Sequence, residues 1–366
     1  MSKRPSRHVT GRFDGELPPP LEREPKGNRV RRPTLLLILG LLLGMLSAAA
    51  TAAVALILLL RPAPATTHNA IWLGISWGQN VHADAEVQAL VQELRDNEID
   101  TLYIWTTWLQ EDGTWSETTF EHLGAFVQQV RRFYPEARLD AWIGLPVEVP
   151  AYRLDDEELR TEVVQFCADA LTRFGFDGIH MNAEPVWNGD ENFIALLRDI
   201  KLAIGEDAVL SVAVPPDWNT GVPDVPVGPY TTVDAHWSQE YKQRVAFLAD
   251  EIAIMAYNSG LSSAVDYQKW MAYQVTRYLT AITELDLETQ IIVGIPTYDA
   301  EPPGHDPAAE SIPAAIAGIL DGLAQSGDAA EQVRGVGVYA QWSTDPLEWA
   351  LFRQYWLRRD SPSTGS

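Results

Sequence analysis

Cysteine is almost missing from this chain. Among 366 residues there is one, Cys167, so no internal disulfide can form and the small disulfide-braced scaffolds are excluded. Basic residues are few: 27 Lys and Arg stand against 50 Asp and Glu, a formal charge of −23. Binding nucleic acid needs a basic face that neutralises phosphates, so no nucleic-acid partner is expected. A glycine-rich phosphate turn is lacking as well. The nearest match, Gly74-Ile75-Ser76-Trp77-Gly78, has neither the third glycine nor the spacing, which argues against a doubly wound dinucleotide fold. No cofactor is implied.

What is present is apolar and aromatic. A content of 46% apolar residues and 13 Trp is too high for a disordered polymer, and the length suits two ordinary domains or one large barrel. Charge is spread unevenly. Residues 1–33 carry nine Lys and Arg against four Asp and Glu, residues 34–60 carry no charge, and residues 62–366 carry 17 against 46. The neutral stretch has 27 residues, where a membrane-spanning helix needs ~20. A cleavable signal would have a shorter apolar core of ~7–15 residues, although Ala63-Pro64-Ala65 supplies a small-residue site. The expectation is an uncleaved transmembrane helix over 34–60, preceded by a basic disordered tail over 1–33 and followed by a short linker over 61–69. The positive-inside rule puts the tail in the cytoplasm and the acidic body outside. Residues 358–366 read as a loose polar tail.

Between 70 and 357, short β-rich apolar runs alternate with amphipathic helical stretches. The runs are 71–77, 101–105, 139–145, 178–183, 209–214, 251–256, 290–296 and 335–341. Eight strand-then-helix units predict an α/β fold, a parallel (β/α)8 TIM barrel. Function in such a barrel collects where strands end. Unusual polar and aromatic residues stand there: Trp77, Trp105 and Trp108, Glu148, Asn182 and Glu184, Asp217 and Trp218, Tyr257 and Asn258, Tyr298 with Asp299 and Glu301, and Gln341 with Trp342.

The fourth run is the most informative. In Asp177-Gly178-Ile179-His180-Met181-Asn182-Ala183-Glu184, strand alternation places His180, Asn182 and Glu184 on one face. Three polar side chains turned into a barrel are costly unless paired, which favours a site over packing. A hydrogen-bonded network without chemistry is the alternative. Metal binding by His180 is disfavoured, because no partner His or Cys lies at ligand spacing.

This segment resembles the fourth-strand signature of family 18 glycoside hydrolases, the chitinase-like barrels, Asp-Gly-x-Asp-x-Asp-x-Glu. Asp177, Gly178 and Glu184 match; His180 and Asn182 stand where the family has Asp. Met255-Ala256-Tyr257-Asn258 is similar to its sixth-strand Met-x-Tyr-Asp. Gly294-Ile295-Pro296-Thr297-Tyr298 is similar to its seventh-strand Gly-x-Pro-x-Tyr, and Trp342 ends the eighth run as Trp often does in the family. Asn182-Ala183-Glu184 also resembles the Asn-x-Glu of family 85 endo-β-N-acetylglucosaminidases. The resemblance implies hydrolysis of 2-acetamido sugar glycans (chitin-like polymer, peptidoglycan or surface glycan) assisted by the substrate's own acetamido group. Glu184 would be the acid, Asn182 and Tyr257 would hold the acetamido group, and Trp342 would floor the sugar site. Trp77, Trp105, His180, Asn258, Tyr298 and Gln341 complete the expected substrate-binding set. Two alternatives remain: a glycan-binding barrel that has lost catalysis, or a two-carboxylate retaining glycosidase with Glu301 as nucleophile.

Overall fold

The computed structural model describes residues 68–110, 112–148, 153–217, 236–300 and 302–358. The expected tail over 1–33, the expected anchor over 34–60, nearly all of the linker, the end of the chain, and Trp218 and Glu301 lie outside them. Among the described residues, no helix is long and apolar enough to cross a membrane.

Eight parallel strands close into a barrel in sequence order: β1 (Asn69–Leu73), β2 (Ile99–Trp108), β3 (Arg138–Pro146), β4 (Gly178–Glu184), β5 (Val209–Val214), β6 (Glu251–Ile254), β7 (Gln290–Pro296) and β8 (Val333–Tyr339). The ring is completed by β1 pairing with β8, Ala70 beside Gly337. Around it run α1 (Asp84–Asp96), α2 (Leu123–Phe133), α3 (Glu157–Phe174), α4 (Glu191–Ile204), α5 (Gln239–Leu248), α6 (Ala264–Thr283), α7 (Ile312–Ser326) and α8 (Pro346–Tyr355). The expected (β/α)8 architecture is the observed one.

Two cores follow from strand alternation. The outward residues Ile179, Met181 and Ala183 join the helices in one apolar layer, which also takes in Cys167, Trp270, Trp349 and Trp356. The inward residues form a smaller cluster around Trp72, Tyr103 and Trp142. Its rings come from β1 to β3, and small residues on the far side make room for them. A Cβ on Gly337 would lie 2.7 Å from the Trp72 indole.

Helix starts follow local chemistry. Asp156 caps α3 through the backbone N–H groups of Glu158 and Leu159, and Asp190 caps α4 through those of Asn192 and Phe193. At the other end of α3, Gly175 takes the left-handed conformation (φ 83°) that closes a helix without a Cβ penalty. The first strand is shorter than its apolar run. It stops at Leu73, and Ser76–Gln79 forms a single helical turn, so Trp77 belongs to that turn and not to the strand end.

Candidate active site

At the carboxyl end of the barrel a cavity of about 400 Å³ opens over the inner cluster. Asn182 and Glu184 enter it from β4, and Tyr257 and Asn258 from the segment after β6. Tyr298 enters after β7, Tyr339 and Trp342 at the end of β8, and Trp72 and Trp142 from below. Alternation on β4 is the reason the carboxyl and amide share this face.

Glu184 is reached by solvent through the mouth yet ringed by protein. The lost hydration raises its pKa, and a hydrogen bond from the Asn182 side chain partly offsets that. Asn182 is buried, and its Oδ1 has no partner among the described residues. An acceptor left open beside a carboxyl is costly in a structural site and useful in a binding one. Tyr257 stacks on Tyr339 with ring centroids 4.9 Å apart. Burial pushes both phenols up, Tyr257 far up, so both remain donors at neutral pH. Tyr298 donates its hydroxyl to Asn258 Oδ1 at 2.5 Å. Trp342 is half-exposed and lies parallel to Trp142 at 6.5 Å, seated against Gly74, where a Cβ would come within 2.8 Å of the indole.

Four residues expected to bind substrate stand elsewhere. His180 is fully buried beneath the cavity. Trp72 donates its indole N–H to Nε2 at 3.1 Å, Nδ1 lies 2.9 Å from Ser211 Oγ, and the Tyr103 ring stacks at 3.8 Å. Because Trp72 can only donate, His180 is the neutral Nδ1–H tautomer. Burial lowers its pKa to about 3, with Glu251 pulling the other way. Its neighbours are Trp72 and Ser211, not Asn182. Trp77 stacks on Phe126 at 5.1 Å and donates to Gln341 Oε1 at 2.9 Å, so these two residues brace each other outside the cavity lining. Trp105 packs edge-on against Trp142 at 4.6 Å, one layer back.

Trp72, Trp142 and Tyr339 also line the cavity, though the sequence pattern does not single them out. Strand parity alone would turn them inward, but they lie in continuous apolar runs that look like ordinary packing. Below them, Glu251 accepts from Tyr103 and Arg138 at 2.6 Å and from Arg334 at 2.8 Å, a buried network plugging the barrel's other end. Burial opposes the Glu251 charge, but Arg138 and Arg334 outweigh it and bring its pKa down to about 2; burial raises Asp140 to about 7. Asp217, after β5, is buried against Lys242 at 2.5 Å and away from the cavity, and Glu148 accepts from the Trp187 indole. Among the described residues, no group of three or more His, Cys, Asp or Glu could hold a metal ion.

The family model for glycosyl hydrolases family 18 matches residues 84–348, nearly the whole barrel. The chain belongs to that family. It is a glycosidase, and the family match takes in Glu184 and every lining residue of its cavity except Trp72. Solved structures agree on the fold. The spore cortex-lytic enzyme SleL of Bacillus cereus superposes with a TM-score of 0.53 at 13% identity, covering 81% of this chain and 76% of that one. A class V chitinase from Pseudomonas fluorescens gives 0.52 at 14%, covering 80% and 100%. A chitinase from Chromobacterium violaceum gives 0.55 at 14%, again covering 80% and 100%. Such identities speak for the barrel only. No curated protein sequence matches the chain.

Proposed function

We propose that this family 18 member is a membrane-anchored, extracytoplasmic hydrolase of glycans built from 2-acetamido sugars, working by substrate-assisted retaining hydrolysis. The observation that carries the reading is the pairing of Glu184, a carboxyl with raised pKa, with Asn182, whose buried Oδ1 is open. Glu184 donates its proton to the glycosidic oxygen as the bond from the anomeric carbon to that oxygen breaks. The sugar's own acetamido oxygen attacks the anomeric carbon and forms a cyclic oxazolinium ion. Water then adds to that carbon, Glu184 takes one of its protons, and the ring reopens with configuration retained.

Asn182 Oδ1 accepts the acetamido N–H, and the Tyr257 hydroxyl donates to the acetamido oxygen. Trp342 offers an apolar face to the sugar's C–H groups. Asn182 cannot carry negative charge, so the developing cation is stabilised by the Glu184 carboxylate and by aromatic faces. Among the described residues Glu184 is the one carboxylate lining the cavity; Glu301, the nucleophile that a two-carboxylate route would need, lies outside them. The missing charge at Asn182 is also what favours the second reading, a barrel that binds glycan without cleaving it.

The deciding experiment incubates the protein with N-acetylglucosamine oligomers and peptidoglycan, beside Glu184→Gln. Turnover by the parent with a loss of about 10²–10⁴-fold in the variant supports the hydrolase. Binding by both without turnover supports the second reading, and neither binding nor turnover defeats both. The anchor rests on the uncharged stretch 34–60 and on the charge asymmetry across it.

A further inference from the structure

Behind the wall that the segments after β6 and β7 give the cavity lies a buried ionisable pair that the chemistry above does not use. Glu310 and His305 are both nearly inaccessible to solvent. Glu310 accepts the backbone N–H of Asn258 at 2.9 Å with Oε2, and both the backbone N–H and the hydroxyl of Ser259 at 2.6 Å with Oε1. His305 Nδ1 lies 2.8 Å from Glu310 Oε2, and its Nε2 lies 2.9 Å from the Tyr298 carbonyl oxygen. Tyr298 in turn donates to Asn258 Oδ1. The contacts close into a ring: Glu310, Asn258, Tyr298, His305 and back to Glu310.

Two features show how the ring constrains its members. Asn258 sits at φ 55°, in the left-handed region that few non-glycine residues adopt and that asparagine tolerates best. Both ring nitrogens of His305 are engaged, Nδ1 by Glu310 Oε2 and Nε2 by the Tyr298 carbonyl oxygen, so the ring is fixed from both sides. A buried carboxyl group that takes three donors from Asn258 and Ser259 and meets the His305 ring as well is stiff, because breaking any member strands the others. What it stiffens is the lining itself. With Oδ1 taken by Tyr298, the Asn258 amide presents its NH2 group as the donor for a bound sugar.

We propose that Glu310, with His305, is a positioning residue for the reaction: it touches no substrate, but sets the backbone of Asn258 and, through it, the polar wall opposite Glu184. This rests on the glycosidase reading of the same cavity. The test is a double-mutant cycle on the full chain with a chromogenic N-acetylglucosamine oligomer, using Glu310→Gln, Asn258→Ala and the pair, with kcat and KM read separately. Alone, Glu310→Gln is expected to lower kcat/KM by about 10–100-fold, the scale of a small misplacement in a site. In the Asn258→Ala background the same change is expected to cost less than about threefold, since its route to the cavity is gone. Equal losses in both backgrounds would mean that Glu310 serves only the fold, and the proposal falls. Amide exchange at Asn258 and Ser259, measured against β2 amides, needs no substrate. Faster exchange confined to the former in Glu310→Gln supports the proposal, and unchanged exchange overturns it. A parent protein that cleaves nothing while exchange responds would sink the glycosidase reading and leave the anchoring intact.

Discussion

Glu184 and His180 lie on one strand face four residues apart, and their surroundings push them to opposite roles. Glu184 has a pKa above the ordinary carboxyl value because protein replaces water around it. Its protonated form is the acid, so activity should fall as pH rises through that raised value. The stability consequence has the same direction. A carboxyl whose folded pKa exceeds its unfolded one favours the fold at low pH and loses that contribution as pH rises through the folded value. Glu184→Gln is therefore expected to melt higher than the parent near pH 8 and at about the same temperature near pH 4, as scanning calorimetry would register. His180 behaves inversely. Its pKa falls from 6.5 to about 3, so its contribution is complete above pH 6.5 and is lost as pH falls through that window. Replacing it with Asn strands Trp72 and Ser211 and should cost about 1–3 kcal/mol at pH 7. Urea unfolding of the two proteins should show the gap narrowing by pH 4; a gap independent of pH would contradict the neutral, buried assignment.

At the scale of elements, strand ends and the turns after them decide what reaches the cavity. Trp342 is carried by the end of β8 but placed by Gly74 after β1, since any Cβ there would meet the indole. Gly74→Ala should tilt the platform and raise KM about tenfold, the effect of losing roughly 1.4 kcal/mol of stacking. An unchanged KM would show that Trp342 is not a sugar platform. The start of α4 stands just after the catalytic strand and depends on Asp190, whose carboxylate accepts two backbone N–H groups at 3.0 and 3.1 Å. Asp190→Ala should cost about 1 kcal/mol in chemical unfolding. That cap was legible as an Asp before an amphipathic run. The place of Trp77 was not. Past Leu73 the sequence alternates Gly74, Ile75, Ser76 and Trp77, which suits a continuing strand as well as a turn, and the structure ends the strand at Leu73 and folds Ser76–Gln79 into a helical turn.

For the whole molecule, the division into basic tail, neutral stretch and acidic body predicts a cellular address. The full chain should stay with membranes through a high-salt wash, and a chain lacking residues 1–60 should not. Release of the intact chain by salt would point to electrostatic attachment instead of a spanning helix. The acidic body fits a neutral glycan partner better than a polyanion, because nothing lining the described cavity is basic.

The order and period of apolar residues determined a parallel α/β fold, because strand alternation and the helical period repeat in turn eight times; closure into a barrel instead of an open doubly wound sheet is seen in the pairing of β1 with β8. The same alternation put Asn182 and Glu184 on the inner face with His180. Depth was beyond it. Whether an inward side chain meets solvent depends on how far along the strand it lies and on the rings opposite. Only the closed barrel shows His180 sunk under Trp72 and Tyr103 while Glu184 stands at the mouth. Only the fold, too, brings Glu310 behind Asn258 across 52 residues of chain, since a hydrogen bond at that separation leaves no period in the sequence.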